Sequence, residues 1–582
     1  MAVTDKRSTA PQGGSFLIER HRAESILIPE AFSDELKMMG QAAEQYVERE
    51  IKPDFEALEA LDYELSVQKI RKAGDQGLLG IDVPEAYGGL DIEKTASMLV
   101  TEKLAQAGSF NVTFNAHSGI GTLPLVYFGT PEQQAKYLPG LVSGEKIAAY
   151  CLSEPGSGSD ALGAKTRALL NDAGTHYLLS GTKMWISNAG FADLFTVFAK
   201  VDGEHFSAFL VERDTPGLSL GAEEKKMGIK GSSTRPLILE NAEVPKENLL
   251  GELGRGHVIA FQILNLGRLK LAAGAIGGCK EMVRLASGYA QERQQFGKAI
   301  AEFGLIQEKI GKMSAETFAL ESAIYRLTGA MDEHLAGALT QAEKLAAIGE
   351  YVVEYSLLKV AGSEILDRTI DEALQVYGGY GFSAEYPIEL AYRNSRINRI
   401  FEGTNEINRL LTSGQLLKRA MKGQLELMGA AQAAIQGEPV TDVSAPEPLV
   451  DAFVAVENMK RAALLVAGLG AGRYMQALEQ EQELMARVAD MVAGIYLAES
   501  ALLRSERLLG SNRGEISNLL AKIVTFEAFD QARVLGSEAL RRIGNRDGLA
   551  KLESYLSDHG VDLIALRRKA AESSYQQGGY PL

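Results

Sequence analysis

The sequence predicts an α+β protein, mostly α: an N-terminal helical domain, a central antiparallel β domain, a helical bundle domain and an extra C-terminal helical domain. Three observations carry this. Apolar residues recur at spacings of three and four from Pro29 to about Val142, and again from Gly256 onward. Between about Ala149 and Leu250 the texture changes to short β-branched and aromatic runs separated by turn residues. Strands do not alternate with helices, so a doubly wound parallel sheet is not expected. A chain of 582 residues has room for about four domains. They are placed as a leader over 1–28, then 29–148, 149–252 and 253–430, a linker over 431–448, and 449–582.

The polar start is expected to be a disordered leader. The first helix is expected over 34–51, with Pro53 just past its end, and a second from Asp62 or Ser66 to near Gly77. Residues 84–89 read as a loop, and 92–107 and 131–141 as two more helices. In the central domain, strands are expected at 175–179, 183–186, 194–201, 206–211 and 237–239, with turns at 171–174, Ser180-Gly181 and Asp202-Gly203. Leu264, Leu269, Leu271, Ile276, Met282 and Leu285 form one helical face beyond. Residues 431–448 hold Gly437, Pro439, Pro446 and Pro448 with few large apolar side chains, hence the linker. Leu484, Val488, Met491, Ile495, Ala498 and Leu502 form an apolar stripe that reads as core packing.

Composition excludes several classes. Sixty basic against 76 acidic residues give a net charge of −16, the wrong sign for wrapping nucleic acid. Two cysteines, Cys151 and Cys279, make neither a disulfide framework nor a thiolate metal site, and no metal centre is expected. There is no uninterrupted apolar run of membrane-spanning length and no apolar secretory stretch at the start, so a cytoplasmic setting is expected.

Four stretches can carry chemistry. Cys151-Leu152-Ser153-Glu154-Pro155-Gly156-Ser157-Gly158-Ser159-Asp160 joins glycines that admit a ligand to serines and N–H groups that can converge on an anion, with Asp160 placed to hold the loop or cap the next segment of chain. By itself such a loop is more often a plain turn. Met184-Trp185-Ile186-Ser187-Asn188 holds the sole tryptophan, either core filling or a platform for a planar cofactor. Gln375-Val376-Tyr377-Gly378-Gly379-Tyr380-Gly381-Phe382 is a helix running into glycines, either a cap or a close-contact surface. In Phe401-Glu402-Gly403-Thr404-Asn405-Glu406, burial of Glu402 would raise its pKa and make it a base near neutral pH, whereas an exposed turn glutamate would not do this. Thr404 is a candidate helix N-cap.

Taken jointly and in this order, CLSEPGSGSD, MWISN, ERQQFG, QVYGGYGF and IFEGTNE are far more specific than any one of them. Over roughly residues 29–424 the chain resembles the acyl-CoA dehydrogenase family of flavoenzymes. The resemblance implies bound FAD and α,β-desaturation of an acyl-CoA thioester in fatty acid β-oxidation, the base taking the α proton while the β carbon delivers hydride to flavin N5. Glu402 matches the family's base. Cys151, Leu152, Ser153, Gly158 and Ser159 match the loop at the flavin ring and pyrophosphate, with Ser159 also near substrate. Trp185, Ile186 and Ser187 match residues flanking the isoalloxazine. Arg293, Phe296, Gln375, Gly378 and Gly379 match contacts to the FAD of a neighbouring subunit, and Thr404, Asn405 and Glu406 match contacts to its adenosine end. Asn265, Arg268, Phe401 and Gly403 fall on the substrate side, Arg268 near the base.

Relatives of the isovaleryl type place their base on a helix, where this chain has Gly267. That leaves Glu402 alone and implies a wider acyl site. Phe303-Gly304 departs from the commoner Phe-Gln and resembles the very-long-chain branch, which also carries a C-terminal helical extension. The branch implies medium- to very-long-chain substrates, a homodimer, an electron-transfer flavoprotein as acceptor and peripheral membrane contact. The basic groups Arg541-Arg542, Arg546, Lys551 and Arg567-Arg568-Lys569 suit a solvated helix face better than anionic lipid. The competing readings are an acyl-CoA oxidase and a non-catalytic DNA-binding or assembly protein on the same fold.

Overall fold

The structure, a computed structural model, describes residues 10–582. The N-terminal lobe runs through α1 (Asp34–Tyr46), α2 (Phe55–Glu59), α3 (Tyr63–Asp75), α4 (Lys94–Lys103), α5 (Phe110–Asn115), α6 (Leu123–Phe128) and α7 (Pro131–Ser143). The helix expected over 34–51 is α-helical only to Tyr46 and continues as a π turn, Val47–Ile51. Sequence reading missed α5 and α6, which are too short to show a full period. Ser33, Asp62 and Thr130 cap α1, α3 and α7 with side-chain oxygens.

The central domain is an eight-stranded sheet of β1 (Ala148–Cys151), β2 (Arg167–Leu170), β3 (His176–Ser187), β4 (Leu194–Val201), β5 (His205–Glu212), β6 (Leu218–Leu220), β7 (Thr234–Pro245) and β8 (Leu249–Leu250). The two strands expected at 175–179 and 183–186 are one. The Ser180-Gly181 turn is a bulge inside β3, whose register against β7 shifts there and again between Lys183 and Ile186. Most pairings are antiparallel, as expected, but β1 and β2 both run parallel to β4. β1 pairs with residues 194–197 and β2 with Lys200 and Val201, so the loop between them leaves the sheet where one edge of β4 changes partner.

The bundle comprises α8 (Gly256–Glu292), a hairpin of β9 (Gln294–Gln295) and β10 (Lys298–Ala299), α9 (Gly304–Ala336), α10 (Gln341–Glu350), α11 (Val352–Tyr377), α12 (Pro387–Ser395), α13 (Asn405–Met421) and α14 (Leu427–Gln436). α8 is long and apolar enough to cross a bilayer, yet 72% of its most apolar stretch is buried in this fold. Residues 431–436 of the expected linker belong to α14. Its alanines are poor core material but the best helix formers, and only from Gly437 does the chain leave helix.

The C-terminal domain adds α15 (Val450–Tyr474), α16 (Gln482–Leu508), α17 (Gly514–Ile543), α18 (Arg546–Tyr555) and α19 (Leu563–Gln577). Buried ion pairs tie it to the bundle and the N-terminal lobe: Glu499 of α16, paired within the domain to Lys460 at 2.6 Å, takes Arg326 of α9 at 2.6 Å, and Arg504 takes Glu321 of α9 at 2.6 Å and Glu30 at 2.7 Å. α19 lies on α9. A Cβ on Gly304 would fall 2.8 Å from the Arg568 guanidinium, and one on Gly311 would overlap the Arg567 carbonyl. Among the basic groups weighed for lipid contact, Arg542, Lys551 and Arg567 pair with Glu481, Glu438, and Glu308 plus Glu527.

The disordered-leader expectation is corrected from Ala10 on, while residues 1–9 lie outside the described residues. Phe16 and Leu17 are buried at 1% and 3% exposure, and the Phe16 ring meets Tyr496 edge-on at 4.7 Å. The Gly13 and Gly14 N–H groups donate to the Glu350 and Glu354 carboxylates, and Arg20 donates to Glu506 and to the Ser444 carbonyl. The stretch forms only short 3-10 turns, so its order comes from tertiary contacts that no periodicity announces. Replacing Gly311 with Val forces α19 off α9. We expect a loss of about 1–3 kcal/mol, read as a lower urea midpoint together with faster proteolysis near residues 563–577.

Candidate active site

Glu402 follows the α12 region and precedes α13, in a turn where both it (φ 59°) and Gly403 (φ 82°) are left-handed. A non-glycine residue held there costs about 1–3 kcal/mol. Buried donors hold the turn by its carbonyls. Arg268 Nε donates to Glu402 O at 3.1 Å, Lys359 Nζ to Gly403 O at 2.8 Å, and Asn408 Nδ2 to Gly403 O at 2.9 Å and Thr404 O at 3.1 Å. Each such bond is worth about 0.5–1.5 kcal/mol net, and more from a charged donor, so together they outweigh the strain. Thr404 Oγ1 accepts from Ile407 N and caps α13, as expected.

The carboxyl is the opposite case. Glu402 as a residue is only partly buried, yet its Oε2 is sealed from solvent and has no hydrogen-bond partner among the described residues. Burial pushes its pKa from 4.5 up to about 7, with the Arg268 and Lys359 charges pulling the other way. Gly267 of α8 lies against it: a Cβ there would sit 2.7 Å from Oε2. The space freed by Gly267 is therefore occupied by the Glu402 carboxyl itself, which corrects the expectation that it widens the acyl site. Tyr150, at the end of β1, lies near the carboxyl, and burial holds its phenol neutral.

The Gly/Ser loop leaves β1 close by. Lys183 of β3, with no exposed surface, reaches across to the Leu152 carbonyl and to the Glu154 carboxylate at 2.7 Å. Glu154 also accepts from the Lys165 and Thr166 N–H groups, and Met184 N donates to Ser153 O at 2.9 Å. These bonds dock Ser153 beside the second β3 bulge, where Trp185 sits at φ 61° with 57% of its surface exposed. The indole is therefore not core filling. A Cβ added to Gly156 or Gly158 would meet nothing within 4 Å, and Ser159 is exposed. Asp160 caps the short turn Ala161–Gly163. The loop and the Trp185–Ser187 segment form one open ledge.

The side chains of several predicted contacts turn away from the ledge. Cys151 and Ile186 are buried in the sheet at 0% and 2% exposure and offer no side chain to a ligand; Leu152 is nearly buried. Asn405 points inward, its amide spent on Lys359, Ser363 and Glu364, whereas Glu406 is exposed in the first turn of α13. Asn265 is 4% exposed and its Oδ1 accepts from Arg268 at 2.8 Å, so it orients the arginine. Phe401 and Gly403 stay beside the carboxyl.

A second group lies elsewhere. Arg293 ends α8, about 37 Å beyond Arg268 at ~1.5 Å per residue. Its guanidinium stands 5.5 Å from the Tyr380 ring centre, next to Phe296 (φ 53°, 94% exposed), an exposed Gln375, and Gly378 (φ 59°) and Gly379, before which space is open. Sequence reasoning missed Tyr150, Lys183, Lys359 and Asn408. A lysine inside the apolar run Leu357-Leu358-Lys359-Val360-Ala361 was the one readable signal.

A sealed carboxyl whose pKa burial lifts to about 7, close to an open aromatic and Gly/Ser ledge, defines the class of site: a buried acid beside a surface suited to a flat ligand. Family models described as acyl-CoA dehydrogenase N-terminal, middle and C-terminal domains match residues 33–145, 149–242 and 254–417, and a further C-terminal domain model matches 458–556. A probable acyl-CoA dehydrogenase of Bacillus subtilis is 50% identical over 99% of this chain and 100% of its own. The human very long-chain specific acyl-CoA dehydrogenase is 34% identical over 82% of this chain and 74% of its own. The crystal structure of a Bacillus anthracis acyl-CoA dehydrogenase complexed with FAD superposes with TM-score 0.95 at 47% identity, covering 98% of this chain and 100% of that one. The chain belongs to the acyl-CoA dehydrogenase family.

Because folding raises the Glu402 pKa, the protonated acid favours the fold. That contribution is complete below pH 4.5 and is lost as pH rises through about 7. Glu402→Gln removes the dependence. We expect equal stability to wild type in acid and a more stable variant above neutrality, by at most about 3 kcal/mol at ~1.36 kcal/mol per pH unit. Urea unfolding at both ends of the range checks it; a pH-independent difference would contradict a buried acid.

Proposed function

We propose that this chain is an FAD-dependent acyl-CoA dehydrogenase that desaturates medium- to very-long-chain acyl-CoA thioesters, with Glu402 as the base. The observation that carries the reading is the buried Glu402 carboxyl, whose Oε2 has no hydrogen-bond partner among the described residues and whose pKa burial lifts to about 7. The residues fit the cofactor. Open space before Gly156 and Gly158 admits a pyrophosphate-bearing ligand, and the exposed Trp185 indole offers it a flat wall. When bound, FAD supplies the two-electron acceptor for the hydride leaving the β carbon.

The protein supplies the rest. An α proton beside a thioester is weakly acidic, so its removal needs a base of matched pKa and a donor for the developing enolate oxygen. Glu402 serves as the base because burial lifts it toward neutrality while Arg268 and Lys359 keep it from staying protonated there. The Glu402 backbone N–H has no protein acceptor among the described residues, which leaves it free to serve the thioester oxygen. Ser153, Ser159 and Ser187 line the ledge as hydroxyl donors.

The Arg293–Phe296–Gly378 group lies too far along α8 to serve the same site, which suits contact with a cofactor held by a second copy in a homodimer. α19 covers α9 at Gly304 and Gly311, closing that face to further assembly. Two buried, unpaired cysteines suit a reducing, cytoplasmic setting. Electrons pass to an electron-transfer flavoprotein; peroxide released at the turnover rate in air would instead assign an oxidase.

Glu402→Gln is expected to keep flavin and acyl-CoA binding while lowering kcat by about 10²–10⁴-fold; retained turnover would remove Glu402 from the role. Arg293→Ala is expected to lose flavin on dilution and gel filtration, read as the flavin-to-protein absorbance ratio. Unchanged occupancy would argue against a contact between subunits.

A further inference from the structure

Lys359 sits in the first third of α11, fully buried. Its Nζ donates to Gly403 O at 2.8 Å and to Asn405 Oδ1 at 2.7 Å. Asn405 Nδ2 donates at 3.0 Å to Glu364 Oε1. Glu364 receives both terminal nitrogens of Arg409 at 2.8 and 2.9 Å, and Arg409 Nε donates to Asp490 Oδ1 at 2.6 Å. Asp490 belongs to α16, in the C-terminal domain. An unbroken hydrogen-bonded chain therefore runs from the carbonyl next to Glu402, through α11 and α13, into the added domain. Every link but the first carbonyl is a side chain, and both ion pairs are charge-assisted and directional.

We propose that Lys359 is a positioning residue for the Glu402 turn, and that the C-terminal domain fixes its position through Asp490, Arg409, Glu364 and Asn405. The left-handed turn has no helical or sheet bonds of its own, so its geometry is only as firm as the donors on its carbonyls. Arg268 and Asn408 are anchored within the bundle. Among the described residues, Lys359 is the donor anchored, link by link, outside it. The added domain thereby holds the base in register without touching substrate. The proposal rests on Glu402 being the base.

Three ionisable side chains stand near the Glu402 carboxyl: Tyr150 from β1, Arg268 from α8 and Lys359 from α11. Arg268, Glu406 and Glu364, besides Glu402, stand near Lys359. Burial lowers the Lys359 pKa to about 7, so Lys359 carries its charge on the acid side, where Glu402 ionises; removing that charge favours the protonated acid there, and the acid limb of kcat moves to higher pH.

The test uses the full-length, flavin-loaded protein as Lys359→Met, Lys359→Arg and Asp490→Asn, with Glu402→Gln in the same assays. Lys359→Met is expected to lower kcat about tenfold or more with the acyl-CoA KM changed by less than about threefold, and to raise the acid limb. Lys359→Arg should recover most of kcat. Asp490→Asn should lower kcat by a few-fold and speed amide hydrogen exchange over residues 401–408 at unchanged flavin content. A Lys359→Met enzyme with wild-type kcat and pH profile overturns the positioning role. If that variant does not fold, Asp490→Asn with wild-type kcat and exchange overturns the coupling. Turnover retained in Glu402→Gln would show that the base assignment has failed, which is a separate result from either.

Discussion

The constraint on which the active-site end of this molecule depends is the left-handed turn at Glu402 and Gly403. A glutamate at φ 59° is strained, and its Oε2 has no hydrogen-bond partner among the described residues to offset that strain. Stability is supplied entirely through the backbone, by Arg268, Lys359 and Asn408 on successive carbonyls. The arrangement separates two jobs. Carbonyl anchoring fixes where the side chain starts, and the absence of side-chain bonds leaves its acid free to gain and lose a proton. Had the same cations bonded the carboxylate directly, they would have held its pKa low and made it a poor base.

Much of this was legible in the sequence, unevenly so. The domain order followed from where helical spacing gave way to β-rich runs. The Glu402 motif, the Gly/Ser loop and the lone tryptophan were visible as residue types whose grouping is informative. Local strain was not visible. Nothing in Met184-Trp185-Ile186 announces a bulge, because a bulge depends on the register of β7 against β3. Burial direction was also out of reach for Cys151, Ile186 and Asn405, whose side chains turn inward although their neighbours face the site. Lys359 and Asn408 act across more than 40 residues or from the far side of a helix turn, and linear motifs record neither.

The C-terminal domain is attached by charge as much as by apolar contact. Glu499 with Arg326 and Lys460, and Arg504 with Glu321 and Glu30, are almost wholly buried. Such pairs repay little more than their desolvation, but deleting one partner leaves a buried charge at a cost of about 3–5 kcal/mol. They therefore select one docking pose over others more than they add adhesion. A fixed pose is what a hydrogen-bonded chain ending at Asp490 requires, since a shift of one ångström along α16 would break it.

The segment around Phe16 has a consequence for biosynthesis. It is made before Tyr496 and Glu506, against which it settles and which come nearly five hundred residues later. During elongation its phenylalanine and leucine have nowhere to go. The nascent chain thus carries an apolar stretch that stays uncovered until α16 has been made, so this part of the fold closes late.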